Sequence, residues 1–245
     1  MFDIVIPVGP NDENVINQQI EYTKKNIIGY RNIYLICKDQ NLSIDGCITI
    51  SETVFPFSFS EIQNLLDVNS FCGKFRTGWY LQQLLKLYSS FYIKDILERY
   101  LVVDSDTFFL KQTTFIDDNN IPLYAFGTEN NTLYFDHMSR LDPSFTKVKS
   151  ISGICHHMFF EKKYIQEIFD IVEKKNNEPF WITFIKLVNN TEQSGASEYE
   201  LYFNYMLKNH PDKIKIRELK WKNSSRMDNN NDYDYISVHH YMRSI

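Results

Sequence analysis

Asp104 and Asp106 stand one residue apart at the end of an apolar run, Tyr100-Leu101-Val102-Val103, and a second apolar run, Phe108-Phe109-Leu110, follows almost at once. A β-type stretch that stops on two carboxylates concentrates negative charge at a sheet edge. Left uncompensated, that charge repels itself and costs free energy. Hard divalent cations take carboxylate oxygens. The spacing therefore predicts a metal site at the end of a central strand, with a phosphate-bearing substrate on the metal.

The elements that must position these carboxylates are legible from periodicity. Asp3 to Val8 reads as a short buried strand closed by Pro7, Gly9 and Pro10. Asn11 or Asp12 can cap the helix that follows, whose stripe is Val15, Ile16, Gln19, Ile20, Thr23 and Ile27 and whose end is Gly29. Asn32 to Cys37 is a second strand, so the chain opens β-α-β and calls for a parallel sheet with a right-handed crossover. Glu61 to Val68 reads as a short helix. Gly78 to Tyr92 is a strong one, with Leu81, Leu84, Leu85 and Tyr88 at i, i+3, i+4 and i+7. Pro122 to Gly127 and Ser152 to Phe160 are expected as strands, and Lys162 to Lys175 as a helix. Pro179 can start another helix, and Ser197 to Asn209 is a helix stopped by Pro211. Ile214 to Trp221 and Tyr235 to Tyr241 are expected as late strands. All 245 residues fit one α/β domain, a Rossmann-type mixed sheet flanked by helices.

Bulk properties exclude several classes. The net charge of −5 leaves no basic footprint of the kind a nucleic-acid-binding domain carries. No basic stretch followed by an apolar one opens the chain, and no apolar run approaches the ~20 residues of a membrane span. Cys37, Cys47, Cys72 and Cys155 are scattered without a CxxC pair. They read as reduced thiols of a cytoplasmic protein. The aromatic surplus, 16% of residues, is mostly core; an acceptor groove or a homodimer contact are further uses open to it.

Two enzymatic readings compete for Asp104-Ser105-Asp106-Thr107. In a phosphatase-type motif Asp104 would be the nucleophile and Asp106 the acid. That motif normally opens its domain and needs a later acidic pair, whereas here a β-α-β unit comes first and Asp117-Asp118 lies too close. The other reading is a diphosphate-metal clamp, and the order of elements favours it. The chain resembles the GT-A-fold glycosyltransferases, most nearly a poorly characterised group from bacteria and large DNA viruses. The pieces that carry the likeness are Ile4-Val5-Ile6-Pro7-Val8, Gly78-Trp79-Tyr80-Leu81-Gln82-Gln83, Val103-Asp104-Ser105-Asp106, Ser152-Gly153-Ile154-Cys155-His156-His157-Met158 and Ser197-Glu198-Tyr199-Glu200-Leu201-Tyr202. Together they span nearly the whole chain.

That resemblance implies a transferase moving a sugar from a nucleoside-diphosphate sugar, UDP-linked by preference, to a hydroxyl of a glycan, protein or small-molecule acceptor. Residues 1–110 would form the nucleotide-binding half and 111–245 the acceptor-binding half. Mn²⁺ or Mg²⁺ would be held by Asp104, Asp106 and one of His239 and His240. Pro7, Val8 and Gly9 would cradle the nucleotide, Lys38 and Asp39 would touch base or ribose, and Ser105 would sit against the donor. Arg76, which matches phosphate oxygens in bidentate fashion, could clamp the diphosphate, as could Arg243. Gln82, Gln83 and Lys86 leave the leucine stripe and can face the cleft. His156 and His157 point to opposite faces if both are in a strand, so one of them is expected at the acceptor or sugar.

Ser197 to Glu200 is a capping box. It gives Glu200 a structural task and leaves Glu198 as the expected general base, with Glu200 as fallback. The alternation of Ile236 and Val238 would put His240 on the core side and His239 outward. A catalytically inactive glycan-binding module remains the non-enzymatic alternative.

Overall fold

A computed structural model describes residues 1–38, 42–69, 72–189, 191–227 and 232–243; Asp39 lies outside them. In chain order the elements are β1 (Phe2–Pro7), α1 (Ile16–Asn26), β2 (Ile27–Ile28), β3 (Tyr30–Cys37), β4 (Cys47–Ser51), α2 (Phe59–Asn69), α3 (Thr77–Tyr92), β5 (Arg99–Val103), β6 (Thr107–Phe109), β7 (Thr113–Thr114) and β8 (Leu123–Tyr124). They continue with α4 (Thr132–Leu141), β9 (His157–Glu161), α5 (Lys162–Asn176), α6 (Phe180–Lys186), α7 (Glu198–Asn209), β10 (Lys215–Ile216), β11 (Trp221–Asn223) and β12 (Tyr235–Ser237).

The central sheet has the order β4-β3-β1-β5-β9. Its first four strands run parallel, and β9 is antiparallel to β5. The expected α/β class, with a mixed and mainly parallel sheet flanked by helices, is the observed one. From β1 the chain goes outward to β3 and β4, then returns to place β5 on the other side. The carboxyl ends of β1 and β5 therefore border the point where the strand order reverses, which is where open α/β sheets leave a crevice for ligands.

Burial explains the strands. Every residue of β1 is buried, and so is β5 from Tyr100 to Val103, as parallel strands covered on both faces require. Asp3 is the one charge in β1, and it is satisfied there. Its carboxylate accepts from Arg31 Nε and Nη2 (3.0 and 2.7 Å), from the Asn32 amide (3.1 Å) and from the Leu97 amide (2.8 Å). It thereby ties the start of β3 and the approach to β5 to the central strand. The helix α3 is buried over most of its length, and the aromatic surplus packs around it, as in Tyr88 against Phe169 with ring centroids 4.7 Å apart. Among the described residues no helix is long and apolar enough to cross a membrane.

Several expected boundaries shift, each for a local reason. The strand expected from Ser152 begins only at His157, because His156 has φ +63° and breaks the extended path. The strand expected over Pro122 to Gly127 shrinks to Leu123–Tyr124, flanked by single bridges Ile116↔Pro122 and Gly127↔Ser152. Ile214 to Trp221 divides between β10 and β11. The last strand stops at Ser237, and a 3₁₀ turn occupies His240–Met242. The first residue before α1 is Val15, without a side-chain cap; Asp12 does not cap it because its carboxylate is used elsewhere. That helix ends in β2, ahead of Gly29. Among the elements not expected are β2, β4, β7 and α4, the last of which presents Tyr134, His137, Met138 and Leu141 to the core.

The buried His137 supplies a test of this packing. Its Nε2 lies 2.8 Å from the Phe184 carbonyl, and burial pushes its pKa down from 6.5 to about 4. The folded chain keeps the ring neutral while the unfolded chain protonates it at the ordinary value. The unfolded state thus binds the extra proton between those two values, and stability falls with falling pH through that window by about 1.4 kcal/mol per pH unit. The His157 ring, pushed down to about 3 by burial, adds a second contribution of the same sign. Replacing His137→Gln is expected to flatten the dependence of urea-unfolding free energy on pH between about 6.5 and 4 by close to one proton. A slope identical to that of the wild type would remove His137 from this account.

Candidate functional site

Four carboxylates gather at the carboxyl edge of β1 and β5, brought by the β1–α1 loop (Asp12), the β5–β6 turn (Asp104 and Asp106) and α7 (Glu198). Asp104 follows β5 directly, and its amide donates to the His156 carbonyl (2.9 Å). Asp104 Oδ1 takes Lys86 Nζ of α3 at 2.7 Å and the Tyr199 hydroxyl of α7 at 2.8 Å. Lys86 Nζ also reaches Glu198 Oε1 at 2.8 Å. The Lys86 and Glu198 side chains are each only 4% exposed, so one ammonium holds two carboxylates in a nearly dry setting.

The pKa directions follow from this arrangement. Burial alone would raise Asp104, but Lys86 and His156 outweigh it and hold the carboxyl well below its usual range. Burial alone would lower Lys86, and its two carboxylates more than reverse that. Glu198 is raised, by burial first, with Lys86 opposing.

Asp106 is fixed by the C-terminal segment. β12 pairs antiparallel to β6, with Ser237 opposite Thr107. This register delivers the Ser237 hydroxyl to Asp106 Oδ1 (3.0 Å) and His239 Nδ1 to Asp106 Oδ2 (2.9 Å), while the Val238 amide donates to the Asp106 carbonyl (2.8 Å). Burial works against protonation of His239, but Asp106 overcomes it and raises the ring's pKa. His240 is exposed against Tyr241. The orientation expected from alternation is thus reversed, because the strand ends at Ser237 and the turn that follows resets which way each ring points.

Asp12 links the β1–α1 loop to both. Its Oδ2 accepts from the Ser105 hydroxyl (2.6 Å) and its Oδ1 from Arg243 Nη2 (2.6 Å). Arg243 also donates to the carbonyls of Val238 (2.9 Å) and Asn11 (2.7 Å), so this guanidinium latches the chain's last described turn over the loop. Pro7 and Val8 are buried at the end of β1, and the Val8 amide donates to Ile36 (2.7 Å). A methyl added at Gly9 would meet nothing within 4 Å, so the space in front of this loop is open.

His156 completes the cluster. Its left-handed backbone is an unusual state for a non-glycine residue and the kind of strain that collects at functional positions. The ring stands edge-on between Trp221 and His239, 4.9 Å from each, with Nδ1 3.6 Å from Asp104 Oδ2. Its Nε2 is buried without a partner. Gly127 and Gly153 hold this loop down. A Cβ at Gly153 would stand 2.6 Å from the Tyr199 carbonyl, and one at Gly127 would stand 2.3 Å from the Ile154 carbonyl, so no larger residue fits either close approach.

The remaining expected residues are placed as follows. Gln83 accepts from the Glu198 amide (3.0 Å), and its Nε2 is buried without a partner; Gln82 is half-buried on the neighbouring face. Glu200 is fully buried and accepts from Ser152 (2.5 Å) and Asn204 (2.7 Å). Only half of the capping box forms: the Glu200 amide donates to Ser197 Oγ (3.3 Å), while the Glu200 carboxylate goes to the 152 loop instead. That carboxylate is a clamp and faces no cleft. His157 packs edge-on against Phe109, Phe115 and Tyr235, so it belongs to the core. Arg76 is exposed, stacked 4.7 Å over Trp79 and bonded to Ser194. Lys38 is exposed at the end of β3.

Sequence reasoning missed Asp12, Tyr199, Ser237 and Trp221 as site members. Asp12 carried a signal, an acidic residue just after the first strand, but a helix cap explained it equally well.

Among the described residues no three His, Cys, Asp or Glu side chains converge on one point as a formed metal centre. The donor set nevertheless suits a hard cation. Asp104 and Asp106 carry imidazoles beside them, and the unpartnered Nε2 of His156 leaves a buried polar atom unsatisfied there. The charges point the same way. Among the described residues, Asp12, Asp104, Asp106 and Glu198 pair with two permanent cations, Lys86 and Arg243. An anionic ligand at this edge would need added positive charge.

A family model described only as a family of unknown function, DUF6492, matches residues 32–232. No curated protein matches the chain. Among solved structures, the apo form of mouse xyloside xylosyltransferase 1 is similar with a TM-score of 0.46 and 10% identity, over 90% of this chain and 86% of that one. A likeness at that level transfers neither a residue nor a reaction.

The Lys86 arrangement can be tested directly. Lys86→Met would leave Asp104 and Glu198 adjacent and uncompensated, and should cost about 3–5 kcal/mol in urea unfolding. Adding Glu198→Gln should restore part of that loss. A single variant as stable as the wild type would mean that the ammonium does not hold the pair.

Proposed function

The chain belongs to that family of unknown function, and from the geometry of its own site we propose that it is a metal-dependent glycosyltransferase acting on a nucleoside-diphosphate sugar, UDP-linked by preference. The observation that carries this reading is the surplus of carboxylates at the switch point of the sheet. A diphosphate donor brings more negative charge to an edge that already has too much. Such a ligand binds there only with a divalent cation between the two, and two aspartates beside an imidazole are the ligands that Mn²⁺ or Mg²⁺ takes.

Asp104, Asp106 and His239 would hold the ion. When bound it would supply the positive charge that stabilises the departing diphosphate. The chain's own groups do the rest. The open loop at Val8–Gly9 receives the nucleotide, with Ser105 beside it. Lys86 keeps Asp104 and Glu198 at fixed separation, so neither must reorganise during transfer. Glu198 is the base that accepts the acceptor hydroxyl's proton; burial raises its pKa, towards the working range of such a group. Residues 1–110 would serve the nucleotide and 111–245 most of the acceptor.

The phosphatase alternative fits the geometry less well. Asp117, the nearest acidic candidate for a partner, is tied to Lys215 and to its own loop amides.

The test is a thermal-shift series with UDP, GDP and ADP, each with and without Mn²⁺. At a hundredfold excess over Kd a ligand adds about 2.7 kcal/mol, a rise in Tm of about 5–10 °C for a chain of this size. UDP should produce this rise only with Mn²⁺, and Asp106→Asn should abolish it. Equal stabilisation without metal would sink the assignment of Asp104 and Asp106.

A further inference from the structure

A second cleft lies beside the carboxylate cluster, between the start of α4 and the segment that leads into α7. It has a volume of about 660 Å³ and is lined by residues 131–133 and 191–194, which puts it inside the size range of small-molecule sites, about 300–1,000 Å³. We propose that this cleft binds a neutral oligosaccharide and is the acceptor site; the inference rests on the transferase reading above.

Four features select that ligand. The lining side chains are mostly hydroxyls and amides, among them Asn131, Thr191, Gln193 and Ser194. Such groups can both donate and accept, as a polyhydroxyl ligand requires. Among the lining residues the only formal charge is Glu192, and Arg76, bonded to the lining Ser194, offsets it, so the balance of charge suits a neutral ligand. Next to the cleft the half-buried Trp79 ring carries Arg76 stacked 4.7 Å over it, and Arg76 bonds to the lining residue Ser194. That indole is the platform of an exposed guanidinium whose N–H groups are donors for sugar hydroxyls. The cleft wall is also held in shape in advance. The buried Tyr80 hydroxyl donates to the Gln193 carbonyl (2.9 Å) and accepts from the Gly195 amide (2.9 Å). These two bonds fix the backbone at Gln193 and Gly195, which reduces the cost of binding.

Position gives the cleft its role. The wall runs on from Ser194 through Gly195, Ala196 and Ser197 to Glu198. A saccharide in this cleft would therefore lie against the segment that leads directly to the carboxylate proposed as the base. A peptide acceptor would call instead for an open strand edge or an apolar groove, and neither lines this cleft.

The experiment uses the full chain and a panel of neutral tetrasaccharides: maltotetraose, cellotetraose, mannotetraose and chitotetraose. Binding is read by saturation-transfer NMR and titration. UDP with Mn²⁺ is measured separately on the same samples. At least one tetrasaccharide should bind, and Trp79→Ala and the exposed Gln193→Ala should each weaken it by tenfold or more, with the UDP–Mn²⁺ shift unchanged. If no tetrasaccharide binds to protein that still takes UDP–Mn²⁺, or if Gln193→Ala and Trp79→Ala leave binding unaltered, the cleft is not a saccharide site. If tetrasaccharides bind as predicted but UDP–Mn²⁺ does not, the cleft assignment stands and the transferase reading falls, leaving a glycan-binding protein.

Discussion

The ammonium of Lys86 is the contact on which the rest of the site depends. A lysine carried on α3 reaches into a nearly dry space between β5 and α7, where Asp104 and Glu198 each approach it within 2.8 Å. A buried charge is costly unless it is paired and hydrogen-bonded. Here three such charges share one solution, and the Tyr199 hydroxyl supplies a further bond to Asp104. Three elements far apart in sequence are thereby fixed with respect to one another. Moving any one of them would leave an unpaired ion behind.

Around that contact the fold acts as a collector of negative charge. Parallel strands end at one edge, and the reversal of strand order between β1 and β5 keeps that edge uncovered. The C-terminal strand contributes a third layer, because its pairing with β6 brings Ser237 and His239 onto Asp106. The Arg243–Asp12–Ser105 chain of bonds then joins the tail to the first loop across the middle residue of the Asp-Ser-Asp turn. The two glutamates of α7 divide their tasks by helical geometry. Glu198, the first helical residue, faces the cluster, while Glu200 turns to the 152 loop and clamps it. That clamp, with the close approaches at Gly127 and Gly153, is what maintains the left-handed conformation of His156.

Much of this was legible in the chain. The periods of β1, β3, α3 and α7 are strong, since each buries a continuous face or stripe and nothing in the tertiary structure opposes it. The separation of Glu198 from Glu200 rested on a full capping box, of which only the Ser197 half forms, and it is the 152 loop that engages the Glu200 carboxylate. Where sequence reasoning failed, a long-range contact had overridden a local rule. Asp12 looked like a cap but answers to Arg243 and Ser105. The alternation through Val238 pointed His240 inward, but the strand had already ended. Lys86 was read as leaving the leucine stripe, and its pairing with Asp104 and Glu198 was beyond any local rule.

Residue order by itself determined the α/β class, the central strands and the identity of the acidic pair at a strand end, because hydrophobic period and strand termini are local properties. Only the tertiary structure decided which charges meet. The partners of Asp104 lie 18 residues upstream in Lys86 and 52 and 95 residues downstream in His156 and Tyr199, and Asp106 waits 133 residues for His239. No periodicity encodes pairings at that range. They follow from strand order and register, and these set a lysine beside one aspartate and an imidazole beside the other.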